Sequence, residues 1–211
     1  MKLKNTKCRR FAKIFIKAVT PILHILYRVK YYGKENLPSG GGFIMASNHI
    51  QLLDPFYIAM GSGKPLHFMA KSEVFKFPPI AAFFRALNAF PVKRGVFDTE
   101  SMDFAAQVVK DGEVLGIFPE GGIFPPDKRL GKARPGIARI AHESRCDIVP
   151  VSIYKENSKG FFSKMTVRFG EPIPYSALEL GENPSMNDYR NAAELVMQKI
   201  RELWGKGHDK D

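Results

Sequence analysis

Short apolar runs alternate along this chain with segments of helical periodicity, and that alternation limits the possible folds more than any other feature. Residues 43–47, 66–70, 88–92, 114–118, 148–154 and 164–169 read as strands. Between and after them, residues 54–60, 72–87, 98–110, 135–143 and 185–204 read as helices, the second broken at Pro78-Pro79. Asp98 or Thr99 and Ser185 stand where N-caps belong. The strand runs are continuously apolar, the pattern of strands buried on both faces. The chain therefore reads as α/β: a central mostly parallel or mixed sheet covered by helices. Its 211 residues suit one ordinary domain with a sizeable core.

Charge is distributed unevenly. Residues 1–34 hold ten Lys or Arg and no acid, leaving 22 basic residues against 21 acids in the remainder. The net charge of +11 is thus carried almost wholly by the N-terminus. There Phe11, Ile14, Phe15, Ala18, Ile22, Ile25, Leu26 and Val29 recur at helical steps, with Pro21 dividing the segment into two arms. The longest uncharged run, residues 18–27, is half the roughly 20 residues a membrane span needs. No small-residue cleavage site follows, so it is a poor secretory signal. Two readings fit: a helix pair lying on an anionic membrane surface, or helices packed on the core with a solvated basic face. Nucleic acid fits less well, because zinc-finger spacing, an aromatic ribonucleoprotein motif and a basic recognition helix are all missing. Cys8 and Cys146 make no disulfide framework and lack metal-ligand spacing.

Chemistry-bearing residues cluster at the strand ends. Ser47-Asn-His-Ile-Gln-Leu-Leu-Asp-Pro55 follows the first apolar run and places one imidazole and one carboxylate, His49 and Asp54, in an uncharged stretch. A loop between strand and helix can fold them together, Asp54 setting the tautomer of a base at His49. No G-x-S-x-G elbow and no nearby cysteine offers a nucleophile, so such a base would act on a substrate hydroxyl. Phe90-Pro-Val-Lys-Arg-Gly95 ends a strand in Lys93 and Arg94, and an arginine there can clamp a phosphate. Leu115-Gly-Ile-Phe-Pro-Glu-Gly-Gly122 runs a strand into Glu120 and two glycines. Four basic residues, Lys128, Arg129, Lys132 and Arg134, follow on a loop that enters a helix. Pro150, inside the run 148–153, points to an edge strand or a bulge.

Taken together, four segments resemble the glycerolipid acyltransferase (H-x4-D) family, which contains the 1-acylglycerol-3-phosphate (lysophosphatidic acid) acyltransferases. They are His49-Ile-Gln-Leu-Leu-Asp54, Phe90-Pro-Val-Lys-Arg94, Phe118-Pro-Glu-Gly121 and Val149-Pro-Val151, in the family's order and spacing over about residues 30–175. The resemblance implies a general base at His49 oriented by Asp54. It implies acceptor binding by Arg94, Glu120 and Gly121, and a donor or acyl site near Pro150. It implies direct acyl transfer from acyl-CoA or acyl carrier protein, as co-substrate, to a lysophospholipid hydroxyl, with no metal or other cofactor.

Bacterial members carry a basic N-terminal helix pair. The resemblance therefore divides the chain into docking helices at 1–34 and an acyltransferase domain at 35–211. It expects a peripheral or monotopic protein on the cytoplasmic face of the cell membrane. One departure stands out: the family usually reads F-P-E-G-T-R-S, and here Gly122 and Ile123 replace Thr and Arg. Lys128, Arg129, Lys132 and Arg134 are candidates for the missing charge, Lys132 lying where family members often have a basic residue before the next helix. Acyl transfer to another lysolipid or an amino-lipid, or a non-catalytic lipid-binding role, are the alternative readings.

Overall fold

The structure, a computed structural model, describes residues 14, 18, 21, 28–93, 98–124, 130–155 and 164–209. Its strands are β1 (Val29–Tyr32), β2 (Phe43–Ser47), β3 (Leu66–Lys71), β4 (Ala89–Val92), β5 (Val114–Ile117), β6 (Ile148–Lys155) and β7 (Met165–Phe169). Among the described residues the helices are α1 (Asp54–Ser62), α2 (Pro78–Ala86), α3 (Thr99–Lys110), α4 (Gly136–Ser144) and α5 (Met186–Gly205). All seven strands form one sheet, ordered β1-β7-β6-β2-β5-β3-β4. Only the β6–β7 pair is antiparallel. The α/β reading holds, with a mixed sheet that is parallel through its centre.

Both faces are covered, as the unbroken apolar strands require. On one face α3, α4 and α5 pack Val108, Ile140 and Val196 against Ile44, Leu115 and Ile148. On the other, α1 lays Tyr57 and Ile58 against Met45, Val149 and Val151. Asp98 caps α3 by accepting from Ser101 N, and Ser185 and Asp188 form a reciprocal capping box on α5. Each cap is worth about 1 kcal/mol.

One expectation changes and two are narrowed. Val29–Tyr32, of which periodicity placed Val29 on the N-terminal helical face and the resemblance placed the whole within the 1–34 docking helices, is an edge strand paired in parallel with β7. Its β-branched and aromatic residues, with Val29 in the core, suit a strand. The helical reading of residues 72–87 divides into a 3-10 turn (Ser72–Phe75) and α2, because Pro78 and Pro79 can only begin a helix. Pro150 lies in an interior strand, paired with Ala46 of β2. Its carbonyl accepts from Gly170 N at 2.8 Å, at the end of the β7 ladder. Beyond it Ile148 bridges Ile173, so Glu171 and Pro172 together span what Val149 spans alone, a bulge. The N-terminal helix pair falls largely outside the described residues. Of it, Ile14, Ala18 and Pro21 are helical and exposed. No described helix is long and apolar enough to cross a membrane.

Candidate active site

Two neighbouring strands create the site. β2 and β5 run parallel with Ala46 opposite Ile117, so Asn48-His49 leaves the sheet beside Phe118-Pro-Glu120. Both leave from carboxyl ends, where parallel α/β sheets bind ligands. The register joins residues 71 apart in sequence: the His49 main-chain N–H donates to Glu120 Oε2 at 2.9 Å. The His49 and Phe118 rings stack with centroids 4.0 Å apart and 15° between planes. Phe118 stacks in turn on Phe68 of β3 at 5.8 Å. That last ring lies against Gly116, where a Cβ would come within 2.2 Å of it.

The loop after β2 folds back on itself. His49 Nδ1 lies 2.8 Å from Asp54 Oδ2, and the same oxygen accepts the N–H groups of Ile50 at 2.6 Å and Gln51 at 2.9 Å. One carboxylate oxygen thus shapes the loop and orients the imidazole. Asp54 is wholly buried. Burial pushes its carboxyl above the usual aspartate range, and the bonds from His49, Gln51 and Ile50 pull against that rise. Lys155, at the buried end of β6, is held below the usual lysine range by burial, with attraction to Asp54 opposing. Nδ1 is committed to Asp54, which leaves Nε2 as the ring nitrogen for a ligand.

Asn48 secures the strand end. Its side-chain amide donates to Ile153 O at 3.0 Å and accepts from Ile153 N at 2.8 Å, extending the β2–β6 pairing by one side chain. Glu120 secures the other side. Oε2 takes the His49 N–H, and Oε1 accepts from Gly131 N at 2.6 Å. Burial pushes this carboxyl up as well, against those two bonds and the charges of His49 and Arg201. The turn at Gly121 has φ +70°, and a Cβ there would lie 2.4 Å from Arg134 Nε. Glycine therefore permits both the turn and the approach of Arg134, whose Nε donates to Glu120 O at 3.3 Å.

Two cavities meet at His49. One, of about 550 Å³, is lined by Gly121, Gly122, Lys93, Arg134 and Tyr189 among others. The second, of about 540 Å³, is lined chiefly by apolar side chains, including Leu53, Phe56, Ala59, Phe68, Val74 and Phe84. His49, Met69 and Phe118 line both. The arrangement can hold an anionic group on one side of an imidazole and an apolar chain on the other.

Of the residues singled out in the sequence, His49, Asp54, Glu120, Gly121 and Arg134 come together here. Lys132 is exposed and lines neither cavity, and Pro150 is buried in the sheet and lines neither. Arg94, Lys128 and Arg129 lie outside the described residues, although Lys93 lines the cation-lined cavity. Sequence reasoning missed Asn48 and the stacking face of Phe118. The only signal for Asn48 is an amide side chain at a strand end beside the histidine. Among the described residues no group of three or more His, Cys, Asp or Glu is placed to hold a metal ion.

Residues 28–154 match the family model described as Acyltransferase. The chain is 32% identical over 198 residues to the 1-acyl-sn-glycerol-3-phosphate acyltransferase of Bacillus subtilis, covering 92% of this chain and 97% of that one. It is 29% identical to the chloroplastic 1-acyl-sn-glycerol-3-phosphate acyltransferase BAT2 of Brassica napus, over 89% of this chain and 58% of the relative. The crystal structure of the 1-acyl-sn-glycerophosphate (LPA) acyltransferase PlsC from Thermotoga maritima superposes with a TM-score of 0.70 at 25% identity. That match covers 96% of this chain and 81% of the other.

Proposed function

The chain belongs to the Acyltransferase family, and from that premise we propose that it acylates the sn-2 hydroxyl of 1-acylglycerol 3-phosphate, giving phosphatidic acid for phospholipid synthesis. One observation carries the reading: the His49–Asp54 pair stands where a cation-lined cavity and an apolar cavity join. The acceptor's phosphate lies toward Lys93 and Arg134, and a fatty acyl chain lies in the apolar cavity.

His49 Nε2 takes the proton of the acceptor hydroxyl as its oxygen attacks the thioester carbonyl carbon. Asp54 stabilises the resulting imidazolium through Nδ1. The tetrahedral adduct collapses with cleavage of the C–S bond, and the thiolate leaves with the proton returned by Nε2. No acyl-enzyme forms. The donor is acyl-CoA or acyl carrier protein. Glu120 acts by holding the backbone of His49 and of the loop that carries Arg134, as its two hydrogen bonds support. Residues 1–28, the part of the expected docking segment that precedes β1, dock on the anionic cytoplasmic face of the membrane. Their eight cations and the exposed Ile14 and Ala18 support that placement.

The test is acyl transfer from oleoyl-CoA to lysophosphatidic acid in mixed micelles, beside other lysophospholipids and an amino-lipid. His49→Ala should lower the rate about 10²–10⁴-fold, the range for removing a general base. Arg134→Ala should raise the acceptor KM about tenfold with kcat little changed, and Lys132→Ala should do less. Transfer confined to another acceptor would move the assignment to that lipid. Ile123, in place of the family's arginine, gives that outcome its physical basis. No transfer with either donor would leave a lipid-binding role.

A further inference from the structure

Helix α2 has almost no hydrophilic side. It reads Pro78-Pro-Ile-Ala-Ala-Phe-Phe-Arg-Ala86, with Phe77 as its N-cap. A helix that is apolar all round is normally enclosed on every side. This one buries only Ala81. Phe77, Ile80 and Phe83 are 58%, 43% and 37% exposed, and Pro78, Pro79 and Ala82 are exposed between them. From Lys76 to Arg85 its surface presents no polar side chain. Leu52 (71% exposed) and Ile123 (47%) extend the apolar surface, because both line the apolar cavity together with Phe83. Scattered exposed apolar residues need no account, but a continuous set around the mouth of a cavity does.

The chemistry of its margin selects the occupant. Lys71, Lys76 and Arg85 are exposed around the patch, and Glu73, which pairs with Lys71 at 3.2 Å, is the only acid in residues 71–86. An apolar centre with a cationic fringe and no hydrogen-bonding side chains fits the interfacial layer of an anionic bilayer. A protein partner would meet a more polar rim. The cavity that leads to His49 opens through this surface, so an acyl chain reaching it from lipid would not cross water.

We propose that the outer face of α2, with Leu52 and Ile123, is a second membrane-inserting surface that seats the mouth of the apolar cavity on anionic phospholipid. It is separate in sequence from the N-terminal segment. The contact follows from these residues alone, and its use in delivering acyl chains rests on the acyltransferase reading. Binding is measured without turnover, so the two fail independently.

The experiment uses the full chain and vesicles of phosphatidylglycerol and phosphatidylcholine, with and without brominated acyl chains. Phe77→Trp is compared with the parent chain, whose single tryptophan, Trp204, packs on Tyr154. The added indole fluorescence should shift to the blue on vesicles and lose at least about half its intensity to bromine, the behaviour of an interfacially buried side chain. The Phe77→Ser/Ile80→Ser double variant, which spares the residues lining the cavity, should keep its melting temperature. It should lose about tenfold or more in vesicle affinity on removing two large apolar contacts. An unshifted, unquenched indole on a vesicle-bound chain overturns the proposal, as does full vesicle affinity in the double variant. If the double substitution instead dissociates a dimer seen by sedimentation without vesicles, the face joins two copies and the proposal is wrong.

Discussion

Glu120 shows how one side chain can govern a site from behind it. Each carboxylate oxygen accepts one backbone N–H, from His49 and from Gly131. Glu120→Gln would turn an NH₂ group toward one of those donors, at a cost of about 1–3 kcal/mol for a buried donor left unpaired. The same substitution reads out the burial. The folded carboxyl binds its proton at higher pH than an unfolded glutamate, whose value is about 4.3. Between those two values the folded state holds more protons, so this group's contribution to stability falls as pH rises through the window. The stability difference between the parent chain and Glu120→Gln should therefore shrink from about pH 4.5 upward. Urea denaturation at a series of pH values measures it. A difference independent of pH would mean that the carboxyl sits at its ordinary value. Asp54, pushed the same way, cancels in the comparison.

At the scale of elements, the site depends on where strands stop. β2 ends at Ser47, yet pairing with β6 continues for one more step through the Asn48 side chain. Asn48→Ala leaves both Ile153 backbone groups buried and unpaired, which should cost about 2 kcal/mol or more. It should also loosen the start of the loop that carries His49, so kcat should drop with KM nearly unchanged. Denaturation and initial-rate kinetics on one preparation test both claims. A loss of stability with intact kcat would make Asn48 a structural clamp alone. Asp98 plays a comparable part after β4, accepting from Lys93 N at 2.8 Å while capping α3, and those bonds hold its carboxyl below the usual range. The Lys93 backbone is thereby fixed at the wall of the cation-lined cavity.

Across the whole molecule, the apolar cavity is an assembled feature: α1, β3 and α2 each supply a wall. Ala59 lines it from α1 and is 6% exposed. Ala59→Phe would fill part of the space and should shift donor preference toward shorter acyl chains. kcat/KM for long donors should fall by about tenfold, the scale of one to two displaced methylenes. Rates over a series of acyl donors test this. An equal loss at every length would place the acyl chain elsewhere. Residues 75–84, the stretch around the paired-proline break, divide between two roles. Phe83 and Phe84 line the cavity, whereas Phe77 and Ile80 face outward.

What the sequence determined alone was local or periodic. Apolar runs and helical spacing marked six strands and four of the helices within a few residues, because both signals live inside one element. His49 and Asp54 were legible as a pair because only four residues separate them, and the N–H groups of that loop bind the same carboxylate oxygen. The tertiary structure decided everything that depends on which strands are neighbours. Placing β2 beside β5 set Glu120 against the His49 backbone and Phe118 against its ring. The same order kept Pro150 inside the sheet, where β7 ends and a bulge begins. It made Val29–Tyr32, whose first residue fell on the N-terminal helical face by spacing, an edge strand paired with β7. Strand order is fixed by contacts distant in sequence, made only when the core closes around both faces, and no run of residues encodes them by itself.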